Sequence, residues 1–327
     1  MRIILIIVYV MKKYLVVLIA LLLVLVGCSN SKDNQKSIAV SFYPVEYLTQ
    51  RIVGDDFKVV NLTPIGSEPH GFELSPDSTQ LLLDAKLAIV LGNDFQPAIE
   101  KTASSRDGKT INLIEASERK DEHALSAVNI GYRPTHGDAD HDGEEHDQDH
   151  EGNDPHIWLD PVLMQEVVGQ ITDALVDLNP SESKTYMQRS DDLIADLKAL
   201  DTEFKEGLKQ CERRTFITSH DAFSRLAARY GLTQESIAGI SPENEPSPAR
   251  LNELKNLVNE KNISVIFTEE LVSDKVAKTL SEEAAIQVKV LSPIEGLTQA
   301  QIDNDEDYFS LMRNNLSSLQ VALGCSS

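Results

Sequence analysis

Three histidines stand singly in otherwise well-patterned stretches of this chain. His70 lies in Gly66-Ser67-Glu68-Pro69-His70-Gly71-Phe72-Glu73, His156 in Asn153-Asp154-Pro155-His156-Ile157-Trp158-Leu159-Asp160-Pro161, and His220 in Thr218-Ser219-His220-Asp221-Ala222-Phe223. Pro69 and Pro155 fix the backbone ahead of the first two. Three neutral imidazoles with one carboxylate complete a tetrahedral Zn²⁺ site. The sequence offers Glu269, Glu270, Asp274 and Glu295 as carboxylates, and Glu295 is favoured because Leu291-Ser292-Pro293-Ile294-Glu295-Gly296-Leu297 directly follows the last strand-like run. Trp158, Phe72 and Phe223 read as packing residues.

The other five histidines form a different feature. His136, His141, His146 and His150 alternate with eight carboxylates, with no Lys or Arg between 136 and 151, and His123 lies in the polar approach to them. Such a tract has too little apolar surface to offset the entropy of ordering. It gathers divalent cations weakly and reversibly, or it is a solvated acidic insertion.

These residues need elements to position them. Short apolar runs at Ile38–Phe42, Lys58–Leu62, Leu87–Leu91 and Thr110–Ile114 alternate with helical stretches, and the pattern returns at Thr215–Thr218, Gln234–Ile237, Ser264–Thr268 and Gln287–Val290. Strand–helix alternation implies an α/β protein with parallel sheets. Between the halves, Leu193, Leu197, Leu200, Phe204 and Leu208 recur at three- and four-residue steps, the stripe of one long amphipathic helix. The expected organisation is an N-terminal lobe over residues 37–178, a linker helix over 179–211 and a C-terminal lobe over 212–327. His70, His156 and His220 then fall in loops at the strand ends facing the cleft, where open parallel sheets bind ligands.

Of the 327 residues, 41% are hydrophobic and 25% charged, with a net charge of −22. A surface this acidic repels nucleic acid and anionic lipid headgroups and attracts cations. Met11-Lys12-Lys13 and the apolar run Tyr14–Val26 read as a signal segment over residues 1–27, with Met11 rather than Met1 as its natural start. The run ends in Leu25-Val26-Gly27-Cys28, which resembles a bacterial lipobox: Cys28 becomes the lipidated mature N-terminus and residues 28–36 a polar tether. The alternative is a retained single-pass anchor. Cys211 precedes Thr215–Thr218 and Cys325 follows the last helix. In a parallel α/β lobe a helix ends near the strand starts, so the two can pair as a disulfide in an exported protein, or remain separate thiols.

Taken together, the His70, Asp-Pro-His, Ser-His-Asp-Ala-Phe, Tyr230-Gly231-Leu232 and Ser-Pro-Ile-Glu-Gly-Leu segments resemble the ordered motifs of the zinc/manganese solute-binding lipoproteins of ABC uptake systems, over essentially the whole mature chain. The resemblance implies two four-stranded lobes joined by a rigid backbone helix, metal held between them by His70, His156, His220 and Glu295, and delivery to a membrane permease driven by an ATPase. It implies a monomeric binding protein, not an enzyme, lipid-anchored outside the cytoplasm. Manganese members of that family place a carboxylate at the position of His220. Three imidazoles favour Zn²⁺ as cargo over the harder Mn²⁺, and the His/acid loop is typical of zinc members. The competing readings are a manganese-binding or adhesin-type lipoprotein of the same family, and a zinc hydrolase with Glu68 as general base.

Overall fold

The computed structural model describes residues 37–114 and 154–326. The signal segment, Cys28, the tether, His123 and the tract bearing His136, His141, His146 and His150 lie outside them. The first sheet comprises β1 (Ser37–Val40), β2 (Lys58–Asn61), β3 (Leu87–Val90) and β4 (Lys109–Asn112). The second comprises β5 (Thr215–Thr218), β6 (Thr233–Ser236), β7 (Val265–Thr268) and β8 (Gln287–Val290). Both are wholly parallel, with orders β2-β1-β3-β4 and β6-β5-β7-β8. The protein is therefore α/β with two equivalent lobes. Three of the four inner strands, Ser-Ile-Ala-Val, Leu-Ala-Ile-Val and Val-Ile-Phe-Thr, are buried throughout, and the fourth, β5, is buried but for its first residue, whereas each edge strand begins with an exposed residue. Near-continuous apolar runs are what a parallel strand covered on both faces requires.

The helices are α1 (Tyr43–Val53), α2 (Pro76–Asp84), α3 (Pro97–Ser104), α4 (Pro161–Leu178), α5 (Ser183–Gly207), α6 (Ser224–Arg229), α7 (Pro248–Glu260), α8 (Lys275–Ala284), α9 (Gln299–Asp303) and α10 (Tyr308–Leu323). Five of them have proline in the first turn, as the first residue of α2, α3, α4 and α7 and the second of α1, where its missing N–H costs nothing. Ser75, Asp160 and Ser247 accept from the free amides of the first turn of α2, α4 and α7. The strand–helix alternation implies helix α3 but sets no range for it: its eight residues, Pro-Ala-Ile-Glu-Lys-Thr-Ala-Ser, bury only Ile99 and Ala103, too few to show a period.

The long helix α5 buries Tyr186, Ser190, Leu193, Leu197, Leu200, Asp201 and Phe204 and packs along α4, α1 and α10. At 25 residues it runs about 37 Å. Because its apolar stripe meets residues of both lobes, one core extends from Ile38 and Phe42 through Leu193 and Phe204 to Phe216 and Phe267. Each lobe keeps a second core on its outer face, around Leu82 and Val90 in the first and Ile217 and Leu254 in the second. Cys211 and Cys325 are disulfide-bonded, tying the entry to β5 to the chain just beyond α10. Among the described residues no helix is long and apolar enough to cross a membrane.

Candidate metal centre

Four side chains converge where the carboxyl ends of the two sheets face each other: His70 from the loop after β2, His156 from the turn before α4, His220 from the loop after β5, and Glu295 from the loop after β8. Glu295 Oε1 lies 3.3 Å from His70 Nε2, 3.5 Å from His156 Nε2 and 3.4 Å from His220 Nε2. The Nε2 atoms of His156 and His220 are 3.3 Å apart, and all four donors lie within 4.8 Å of one another. In a regular tetrahedron the donor–donor edge is about 1.63 times the metal–ligand distance. Zinc bonds of about 2.0–2.1 Å thus need edges of about 3.3–3.4 Å. Four of the six edges, at 3.3–3.5 Å, are at or close to that length, and all six are within 4.8 Å.

The two deepest imidazoles are set by carboxylates on their far sides. Asp154 Oδ1 accepts from the backbone N–H of His156 at 2.9 Å and lies 2.7 Å from its Nδ1. Glu269 Oε1 lies 2.7 Å from His220 Nδ1 and 3.3 Å from its backbone nitrogen. With Nδ1–H donated outward, each Nε2 of a neutral ring presents a lone pair, and these lone pairs face each other and Glu295. Among the described residues nothing satisfies that arrangement, which calls for a proton or a cation. Carboxylate–histidine pairing of this kind fixes tautomer and ring orientation and raises the basicity of the donor nitrogen.

The proton balance agrees. Burial pushes the Glu295 carboxyl up, but its three imidazole neighbours outweigh that and hold it well below the usual carboxylate range. Burial pushes the imidazoles of His220 and His156 down, but Glu269 with Glu295, and Asp154 with Glu295, outweigh it and raise both. The metal-free cluster holds positive charge as protons, which an incoming divalent ion displaces.

The supporting loops are overdetermined. Ile294, fully buried, has φ +57°, a conformation that costs a β-branched residue about 1–3 kcal/mol. It is held because Asn315 Oδ1 accepts from Ser292 N at 2.8 Å, Asn315 Nδ2 donates to Ser292 O at 2.7 Å, and Trp158 Nε1 donates to Pro293 O at 2.6 Å. Those bonds aim Glu295 into the cleft. Trp158 packs against Phe42 and Phe95, and Phe95 meets the His70 ring edge-on at 4.7 Å, so one wall of the site is apolar and dry. Glu68 caps the His70 loop, accepting from the amides of His70 and Gly71. The His70 side chain keeps 8% exposure against 0% for His156 and His220, which makes it the corner nearest solvent.

Of the four carboxylates open in the sequence, Glu295 joins the histidines and Glu269 stands behind one of them. Glu270 accepts from Gln301, and Asp274 pairs with Lys278. Sequence reasoning missed the roles of Asp154 and Glu269. The first had a signal: an Asp two residues before a His is placed to cap that residue's own amide.

The family model described as "Zinc-uptake complex component A periplasmic" matches residues 38–322. The chain belongs to this family. Among relatives in the zinc-uptake family, the chain is 37% identical over 313 residues to the "Zinc-binding lipoprotein AdcA" of Streptococcus pneumoniae serotype 4, covering 95% of this chain and 61% of that one. It is 35% identical over 306 residues to the "High-affinity zinc uptake system protein ZnuA" of Bacillus subtilis, covering 91% and 90%. The chain thus spans about three-fifths of the streptococcal relative and nearly all of the bacillar one. Its structure is similar to the Zn(II)-bound ZnuA-like domain of S. pneumoniae AdcA, with a TM-score of 0.68 and 32% identity over 88% of this chain and 99% of that domain.

Proposed function

We propose that the chain is the extracytoplasmic zinc receptor of an ABC importer. Zn²⁺ is its cargo, held between the lobes by His70, His156, His220 and Glu295 and released to a membrane permease powered by an ATPase. The observation that carries this reading is the donor set itself: three imidazole nitrogens and one carboxylate oxygen within 4.8 Å of one another, two of the rings braced by carboxylates. Four protein donors fill a tetrahedron and leave no position for the water that a hydrolytic zinc must activate. Glu68, the base the hydrolase reading would need, is engaged by two backbone amides. Capture and release suit it better than turnover.

In this reading residues 37–178 and 212–327 are the lobes and 179–211 the connector. Cys28 carries the lipid that anchors a monomer to the cell surface after residues 1–27 are removed, and 28–36 is the tether. His136, His141, His146 and His150 raise the local zinc concentration without forming the tight site. The test is titration of the metal-free protein with zinc against a competing chelator. One tight site is expected, and His220→Ala should lose most of its affinity. Undiminished tight binding in that variant would contradict the site assignment.

A further inference from the structure

Helix α6 carries two arginines one turn apart, and both reach out of their own lobe. Arg225 Nε donates to the backbone carbonyl of Asp154 at 2.8 Å, Nη2 donates to the same oxygen, and Nε lies 3.4 Å from Asp154 Oδ2. Arg229 Nε lies 3.3 Å from Asp160 Oδ1 and 2.9 Å from Asp201 Oδ1 of α5. The stretch from Asp154 to Asp160, with His156 inside it, is gripped at both ends by two residues of one short helix of the opposite lobe. Arg225 follows His220 by only five positions, so the segment that supplies one ligand also anchors the neighbour of another.

The two arginines differ in what they hold. Arg229 belongs to a network with Asp160, Asp201, Lys205 and Tyr230 that joins α4, α5 and α6. Among the described residues, all of Arg225's hydrogen bonds go to Asp154, whose Oδ1 in turn holds both the backbone N–H and the Nδ1 of His156. A charged donor fork on a carbonyl is a strong, directional bond. Its evident consequence is the placement of Asp154, and through it the direction of the His156 lone pair.

We infer that Arg225 is a positioning residue for the metal: it fixes Asp154 across the cleft and thereby aims His156, so that retention of zinc at His156 depends on the two lobes staying together. The inference rests on the zinc-receptor reading. It assigns Arg225 an effect on dissociation rather than on encounter, because its bonds among the described residues go to Asp154, the partner of His156, and not to His70, the corner nearest solvent.

The test uses the whole chain and three variants: Arg225→Met keeps the stem and removes the fork, Arg225→Lys keeps one donor head and the charge, and Arg229→Met serves as comparison. Zinc dissociation is followed by stopped flow into excess chelator, and the melting temperature of the metal-free protein is measured alongside. Arg225→Met is expected to release zinc about tenfold faster or more, from loss of the charged two-donor fork on the Asp154 carbonyl, with little change in metal-free melting. Arg225→Lys should recover part of the effect, and Arg229→Met should lower metal-free melting with a near-normal off-rate. A second arm needs no zinc. In the metal-free protein, the hydrogen-bonded Nδ1 proton of His156, followed by proton–nitrogen NMR, should exchange faster in Arg225→Met. A wild-type off-rate in Arg225→Met, or an unchanged His156 resonance, overturns the role of Arg225. Failure of the unsubstituted chain to bind zinc overturns the receptor reading instead, and the NMR arm then still decides whether Arg225 positions His156.

Discussion

Replacing Glu269 by Gln would separate what a buried carboxylate does for a metal-binding imidazole from what any acceptor would do. Gln retains an oxygen that can take the Nδ1–H of His220, so ring orientation survives; the negative charge does not. Partners of this kind are worth about 10- to 100-fold in metal affinity, which corresponds to about 1.4–2.7 kcal/mol. The structure adds two refinements. Glu269 Oε2 is buried without a hydrogen-bond partner, so the Gln amide placed there would have nothing to donate to, and the metal-free protein should lose about 1–3 kcal/mol. Glu269 is also the main group raising the pKa of His220. Without it, protons compete less well for the site, so the affinity deficit should be largest near pH 8 and shrink toward pH 6. The assay is zinc competition with a fluorescent chelator across that range, beside chemical denaturation of the metal-free protein. An affinity within threefold of wild type at pH 8, or a deficit that grows as pH falls, would refute the reasoning.

Other consequences are tested more simply. Because the metal-free imidazoles of His156 and His220 are raised above their ordinary value of 6.5, protons rival zinc at pH values above 6.5; affinity should already fall between pH 8 and 7, and a curve flat down to pH 6 would contradict this. The Cys211–Cys325 bond closes a loop with a sequence separation of 114, for which chain entropy gives about 4–5 kcal/mol and experience with native bridges about 2–4; Cys325→Ser or reduction should lower the melting temperature while leaving zinc stoichiometry at the tight site unchanged. Deleting residues 136–151 should remove weak, multiple zinc binding and leave the tight site intact, as isothermal titration would show; loss of the tight site would end the division of labour between tract and cleft.

Much of this was legible before the fold. The four side chains that the structure brings together stood out by type and by position, each in a loop between periodic segments, and α5 by an apolar stripe long enough to outweigh its weaker boundaries. What lay hidden was pairwise. Glu269 and Glu295 both follow strand-like runs and are both carboxylates. Only the register of β7 and β8 puts one behind His220 and the other before it. The grip of Arg225 could not be read at all, because its partner is a backbone carbonyl, which every residue has. Ile294 gave no sign of its left-handed backbone, since nothing in a β-branched residue announces it. Strand ends moved by at most two residues: the first strand stops at Val40 rather than Phe42, because the chain turns at Ser41 and Phe42 into the start of α1.

The coordination of bound zinc is the most direct test of the whole account. X-ray absorption on the one-to-one zinc complex, made with residues 136–151 deleted so that only the cleft is occupied, should report four nitrogen and oxygen neighbours at about 2.0–2.1 Å with the multiple-scattering signature of three imidazoles. That signature should fall to two in His70→Ala. Five or six neighbours, or fewer than three imidazoles in the unsubstituted cleft, would contradict it.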